Sequence, residues 1–117
     1  AWGRLRDGAT RVSAAMVEGI DAVLADYEAR IEFPTEFVVP GETRTSAALE
    51  LARTIVRRAE RRAVTLERAG LVPGPHLLPY LNRLADLLWV LARAAEQAEA
   101  HTATVARPAR GRTARAR

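Results

Sequence analysis

Apolar residues recur at steps of three and four along three stretches of this 117-residue chain, and each stretch has the period of a helix with one buried face. The stretches cover about residues 10–32, 43–69 and 79–105. Pro34 ends the first, Gly70 follows the second, and Pro79 suits the first turn of the third. Three long helices joined by two short connections predict an all-α fold, an up-down helical bundle.

The predicted bundle is small, and its domain is expected to cover residues 1–105. Three helices of this length enclose a thin core, so we expect oligomerisation or a further segment to complete it. Residues 106–117 form the rest of the chain, an Arg-rich tail with Pro and Gly but no acidic residue. This tail has no periodicity and is predicted to be disordered.

The charge and composition of the chain exclude several classes of function. The formal charge of +4 comes from the tail, since residues 107–117 hold five arginines and the remainder carries 13 arginines against 14 acidic residues. The body therefore has no basic face, and nucleic-acid binding through the tail alone is the least favoured alternative. The absence of cysteine excludes thiolate chemistry and disulfides, and His76 and His101 are too isolated to form a metal pair. With Ser13 and Ser46 as the only serines, no hydrolase triad can be assembled.

The location of the protein is also constrained by its sequence. No apolar run approaches the roughly 20 residues that span a bilayer, and the beginning of the sequence has no apolar signal-like region. We therefore expect a cytoplasmic protein that does not interact with membranes.

A row of arginines is the main candidate for a functional site. Arg53, Arg57 and Arg61 stand at i, i+4 and i+8 and therefore share one face of the second helix. The opposite face is expected to point to the core and carries Ile55, Val56, Ala59 and Ala63. Three aligned guanidinium groups repel one another unless carboxylates or bound anions lie among them, and their forked donors suit phosphate oxygens. The row therefore predicts an anion site.

Polar residues on the third helix and within the arginine cluster could complete this site. Asn82 and Asp86 lie four apart, which is compatible with an ordinary solvent-facing hydrogen-bonded pair. Near the arginine row they would instead form a pocket for anions and a metal ion, with Asp86 holding an arginine or orienting Asn82. Glu60 fits an ion pair with a neighbouring arginine better than a direct ligand role.

Three segments of the chain resemble the PduO-type ATP:cob(I)alamin adenosyltransferases in order, spacing and identity: Phe37–Gly41, Ala52–Arg62 and Pro79–Arg93. This resemblance implies a trimeric helical bundle that binds ATP, Mg²⁺ and a reduced corrinoid at subunit interfaces. It also implies a transferase that moves the 5′-deoxyadenosyl group of ATP onto the cobalt of cob(I)alamin and forms adenosylcobalamin.

The resemblance also implies roles for single residues. Phe37 matches an aromatic that lies against the lower face of the corrin, where it excludes an axial ligand and eases reduction to Co(I). Arg53 and Arg57 match arginines of the nucleotide site that stabilise the triphosphate as it leaves. Asn82 matches a residue that contacts the nucleotide and its Mg²⁺, and Glu60 matches the acid of the arginine-rich helix.

The chain departs from the family pattern at its beginning. Residues 1–9 do not reproduce the glycine-rich, Thr-Gly-Asp-containing nucleotide loop of the family, nor the early Asp that pairs with the arginine at the Arg53 position. Glu50, one turn before Arg53, is a candidate for the missing carboxylate. The alternative hypothesis is therefore a truncated, non-catalytic homologue that binds a corrinoid or a nucleotide.

Overall fold

The computed structural model describes residues 4–35 and 38–99. This part of the chain contains three α-helices and no β-strand: α1 (Ala14–Arg30), α2 (Arg44–Arg68) and α3 (Leu77–Ala98). The predicted all-α fold is confirmed. Helix α3 ends at Ala98, before His101 and Val105, where the sequence had placed its end. Phe37 and the predicted tail of residues 106–117 lie outside the described residues.

The ends of the helices follow from local side-chain chemistry. The Ser13 hydroxyl caps α1 by accepting a hydrogen bond from the Met16 amide at 3.2 Å. Thr43 and Ser46 form a capping box at the start of α2, in which each side chain accepts from the other residue's amide at 3.1 and 3.0 Å. After α2, Gly70 takes a φ of 73°, a left-handed conformation that stops a helix.

Helix α3 lies between the other two helices. It packs against both α1 and α2, whereas these two helices make no contact with each other. The bundle is therefore open, and α3 is covered by neighbours on most of its surface, so that none of its residues is fully exposed before Gln97.

The apolar core lies between α1 and α3. Ile20 and Leu24 of α1 pack with Leu87 and Val90 of α3, and all four side chains are buried. Partly buried apolar side chains surround this cluster: Tyr27, Ile31, Tyr80, Leu84, Trp89 and Leu91. Helix α2 contributes no side chain to it. Burying each of the four central side chains stabilises the fold by about 1.5–3 kcal/mol, so the α1–α3 contact is a major source of hydrophobic stabilisation.

The prediction for the faces of α2 was partly wrong. Ala63 is buried as expected, but Ile55 is 50% exposed and Ala59 is exposed as well. Val56 is partly buried, as expected. The side of α2 that faces inward is mixed: it carries the polar residues Ser46, Glu50, Arg53, Arg57 and Glu60 together with the apolar residues Leu49, Ala52, Val56, Ala63 and Val64. These residues recur every three or four positions, as a helical seam requires. Charged residues can face inward because α3 offers partners to them, in the pairs Arg57–Asp86 and Glu50–Arg93.

None of the three described helices, α1, α2 and α3, is both long enough and apolar enough to cross a bilayer.

Candidate functional site

An open cleft of about 320 Å³ is lined by residues of all three helices. Its walls come from the end of α1 and the residues after it, from α2 and from α3: Glu28, Phe33, Arg53, Asp86, Trp89 and Val90. The cleft therefore combines one guanidinium and two carboxylates with an aromatic and apolar wall.

Arg53 is the cationic group of this cleft. Its side chain is half-buried, and its Nε atom is buried without a hydrogen-bond partner in the described part of the chain. A buried donor without a partner costs roughly 1–3 kcal/mol, and an anion entering the cleft would remove that cost. The position of Arg53 agrees with the anion site that the arginine row predicted.

Arg57 lies beside the cleft in an ion-pair network. Its Nη1 is 3.2 Å from Oε2 of Glu60, one turn away on α2, and its Nη2 is 3.4 Å from Oδ1 of Asp86 on α3. The expectation that Asp86 holds an arginine is confirmed, as is the ion pair expected for Glu60. Because Asp86 also lines the cleft, this network connects Arg57 to the site of Arg53.

Asn82 does not line the cleft. Its Oδ1 accepts a hydrogen bond of 3.1 Å from Nη1 of Arg83, and Nε of Arg83 lies 3.1 Å from Oδ1 of Asp21 on α1. The structure therefore brings Arg53, Arg57 and Glu60 together around Asp86, but it does not add Asn82 to the residues that line the cleft.

Glu50 does not pair with Arg53, so this hypothesis was wrong. Its Oε1 lies 3.0 Å from Nη2 of Arg93, which is also 2.5 Å from Oε1 of Glu96. Arg93 is a buried residue of α3, and its pair with Glu50 joins α3 to α2. The physical reason is burial: Glu50 is enclosed between the two helices, and a buried carboxylate requires a cation within reach.

Sequence reasoning missed this buried network and the aromatic wall of the cleft. The i, i+3 spacing of Arg93 and Glu96 was a signal for an ion pair, but it did not show that the pair is buried. Phe33 and Trp89 stack with ring centroids 6.1 Å apart, a contact between distant parts of the chain that has no signal in the sequence.

The described residues do not form a metal site by themselves. In residues 4–35 and 38–99, no three side chains of His, Asp or Glu converge on a common point. An ion bound here would need ligands supplied by a substrate as well.

Known proteins with similar sequences share one activity. The family model described as Cobalamin adenosyltransferase matches residues 3–95. A cobalamin adenosyltransferase of Cupriavidus metallidurans is 44% identical over 92 residues, which are 78% of this chain and 49% of that protein. The corrinoid adenosyltransferase PduO of Salmonella typhimurium is 38% identical over 96 residues, 82% of this chain and 28% of that protein. The chain thus spans about half, or less, of the length of these relatives.

Solved structures agree with the sequence comparison. A variant of the PduO-type ATP:corrinoid adenosyltransferase from Lactobacillus reuteri in complex with ATP matches with a TM-score of 0.75 and 28% identity, over 85% of this chain and 57% of that one. Another variant of that protein, in complex with cobalamin and ATP, matches with a TM-score of 0.75 and 28% identity over 88% of this chain and 56% of that one. The match to residues 3–95 covers most of the sequence, and the chain therefore belongs to the cobalamin adenosyltransferase family.

Proposed function

We propose that this chain transfers the 5′-deoxyadenosyl group of ATP to the cobalt of a reduced corrinoid, cob(I)alamin. In this reaction the C5′–O bond of ATP breaks, triphosphate leaves with the bonding electron pair, and a carbon–cobalt bond forms. The observation that carries the proposal is the unpaired guanidinium Nε of Arg53 in a cleft that also has an aromatic wall. Relatives and solved structures of the same family are named for this reaction or hold its two substrates.

Arg53 and Arg57 are proposed to bind the triphosphate and to stabilise it as it leaves. Arg53 lines the cleft and has an unpaired donor, so it can donate a hydrogen bond to a phosphate oxygen without losing another bond. Arg57 is shared between Glu60 and Asp86 at 3.2 and 3.4 Å, which holds its guanidinium next to the cleft before substrate binds. Fixed cationic donors lower the barrier because negative charge grows on the leaving group.

The remaining site residues are proposed from the family resemblance. Phe37 would lie against the lower face of the corrin, and Asn82 would contact the nucleotide and its Mg²⁺. This role requires the Asn82 carbonyl to leave the Arg83 guanidinium that it now contacts. Glu60 would keep Arg57 in place. The described residues lack a cluster of three acidic or imidazole groups, so Mg²⁺ is expected to arrive with the phosphates of ATP.

We also propose that the domain of residues 1–105 is cytoplasmic and assembles as a homotrimer. The outward side of α2 exposes three large apolar side chains, with Leu51 63% exposed and Ile55 and Leu66 also exposed. The exposed Arg58 and Arg62 lie beside them. The three apolar residues lie along one side of the helix, and we call them the outer stripe of α2. Packing of the outer stripe against a second copy of the chain would remove this apolar surface from water.

The proposed activity is tested by mixing the purified chain with cob(I)alamin and MgATP under anaerobic conditions. We expect the absorbance spectrum of cob(I)alamin to change to that of adenosylcobalamin, with tripolyphosphate released in equal amount. The same mixture without ATP is the control. Binding of a corrinoid or nucleotide without product would contradict the proposal and favour a non-catalytic homologue.

A further inference from the structure

A buried charged cluster lies behind the cleft. Arg93 and Glu96 of α3 are 2% and 1% exposed, and Glu50 of α2 is buried with them. Both carboxylates bind the same atom, Nη2 of Arg93, at 3.0 and 2.5 Å. None of the three residues lines the cleft, so the proposed reaction does not use them directly.

The burial of this cluster between α2 and α3 is energetically costly. Nε and Nη1 of Arg93 and Oε2 of Glu96 are buried without hydrogen-bond partners in the described part of the chain. Two carboxylates also face one guanidinium, which leaves an excess of negative charge. Apolar residues of similar volume often stabilise such a position better than a buried ion pair does. Stability alone therefore does not explain why an arginine occupies this position.

Arg93 also contacts Trp89, a residue that lines the cleft. Its guanidinium carbon lies over the ring of Trp89, 5.2 Å from the ring centroid. Trp89 stacks in turn on Phe33, with an angle of 23° between the ring planes. Trp89 and Phe33 both line the cleft, beside Arg53. The chain of contacts thus runs from Glu50 and Glu96 through Arg93 to the aromatic wall.

We propose that Arg93 is a positioning residue that fixes the Trp89 ring as a flat wall of the cleft. The two carboxylates hold the guanidinium in one orientation, and its planar face holds the indole. The ligand of this wall is a flat conjugated ring system, adenine or corrin, bound next to the Arg53 guanidinium. This last part rests on the proposed function, since the transferase reaction supplies both ring systems.

The position requires arginine rather than another cation. A lysine ammonium carries the same charge and can donate to two carboxylates, as Nη2 of Arg93 does, but it has no planar face to stack on the indole. Arg93→Lys therefore removes the stacking contact and keeps the charge. Arg30 provides a matched control: it lies 5.4 Å over the Tyr27 ring and 2.7 Å from a carboxylate oxygen of Asp26, but at the exposed surface of α1.

Tryptophan fluorescence tests the positioning role without any activity. The sequence holds two tryptophans, so a Trp2→Phe background leaves Trp89 as the only fluorescent indole. In this background we expect Arg93→Lys to shift the Trp89 emission and to increase its quenching by acrylamide, while Arg30→Lys changes neither. Unchanged emission and quenching in Arg93→Lys would overturn the proposal.

A second variant tests the positioning role if Arg93→Lys does not fold. The triple variant Arg93→Met, Glu50→Gln, Glu96→Gln removes all three charges. It therefore leaves no buried carboxylate without a cation. We expect it to keep the circular dichroism of the parent and its melting temperature, and still to show increased quenching of Trp89. If Trp89 is quenched as in the parent, the guanidinium does not position the ring.

Equilibrium binding identifies the ligand of the wall. The folded variants are titrated with MgATP and, separately, with cob(II)alamin. We expect the dissociation constant of one ligand to rise by about tenfold and that of the other to stay within about twofold of the parent value. Weakened MgATP binding assigns adenine to the wall, and weakened cob(II)alamin binding assigns the corrin. Equal affinities in parent and variants would overturn the ligand part of the proposal. A parent that binds both ligands without turnover would refute the proposed transferase activity but not the role of Arg93.

Discussion

The two sides of α3 differ in what they bury. Toward α1, α3 buries Leu87 and Val90 against Ile20 and Leu24, an apolar contact. Toward α2 it offers Asp86 and Arg93, which pair with Arg57 and Glu50. The comparison teaches that one helix serves two purposes: its apolar side stabilises the fold, and its charged side builds the candidate site.

Energetics explain this division of roles. Apolar burial stabilises by roughly 25 cal/mol per Å² and does not depend on exact orientation. Partly exposed ion pairs such as Arg57–Asp86 contribute about 0–1 kcal/mol, but they fix where a guanidinium lies. A helix held by charges therefore adds little stability, while it can hold cationic groups ready for an anionic substrate.

The largest effect on stability is expected from the apolar side. Leu24→Ala leaves a cavity next to Leu87 and Val90, so the free energy of unfolding should fall by about 3 kcal/mol in urea denaturation followed by circular dichroism. Val23→Ala, at the neighbouring exposed position of α1, is the control and should cost less than about 1 kcal/mol. Equal losses for both variants would show that the α1–α3 contact is not a major source of stability.

The largest effect on activity is expected from the charged side. Arg53→Met removes the unpaired donor from the cleft, and we expect kcat/KM for ATP to fall about 100-fold, as measured by adenosylcobalamin formation. The free energy of unfolding should not fall, because no hydrogen bond to Arg53 Nε is lost and the cost of burying that unpaired donor is removed. Arg68→Met, at an exposed position in the last turn of the same helix, should retain the parent activity. A similar loss of activity in both variants would contradict a specific role for Arg53.

The outer stripe of α2 is a third surface to compare with the two sides of α3, because its three residues are apolar but exposed. Leu51→Glu places a charge where a second copy is proposed to pack, and the lost burial is worth about 2 kcal/mol per subunit. Light scattering after size exclusion should show a trimer for the parent and a smaller species for the variant. Leu71→Glu, an exposed leucine outside α2, is the control and should leave the mass unchanged. A monomeric parent would refute the proposed homotrimer.

The smallest effect is expected from the polar contact on the apolar side. Asp21 of α1 lies 3.1 Å from Arg83 of α3, and both side chains are about half exposed. Asp21→Asn should therefore lower the free energy of unfolding by less than about 1 kcal/mol in urea denaturation. The effect should shrink further in 1 M NaCl, because salt screens exposed charges. A loss as large as that of Leu24→Ala would mean that charges stabilise this interface too.

Local chemistry made much of the fold predictable. Thr43 was among the expected caps of α2, and Gly70 was its expected end, because caps and left-handed glycines act within one helical turn. The pairing of Asp86 with an arginine was also foreseen. The faces of α2 were not, because apolar spacing shows only that Leu51 and Ile55 form one stripe; it does not show which partner, if any, covers that stripe.

The site was predictable only where its residues share a helix. Arg53 and Arg57 are one turn apart, so their common face follows from the period of the helix. The contact between Phe33 and Trp89 depends instead on how α1 and α3 pack, and the Glu50–Arg93 pair depends on how α2 meets α3. These contacts arise from packing between helices, which the spacing of residues along one helix does not encode.

Hydrogen exchange with and without MgATP tests most directly whether the charged side of α3 is the binding site. We expect MgATP to slow amide exchange in residues 50–60 of α2 and 82–90 of α3, while residues 14–24 of α1 exchange as in the free protein. Protection confined to residues 14–24, or MgATP binding that leaves exchange in α2 unchanged, would contradict the assignment of the site to the α2–α3 interface.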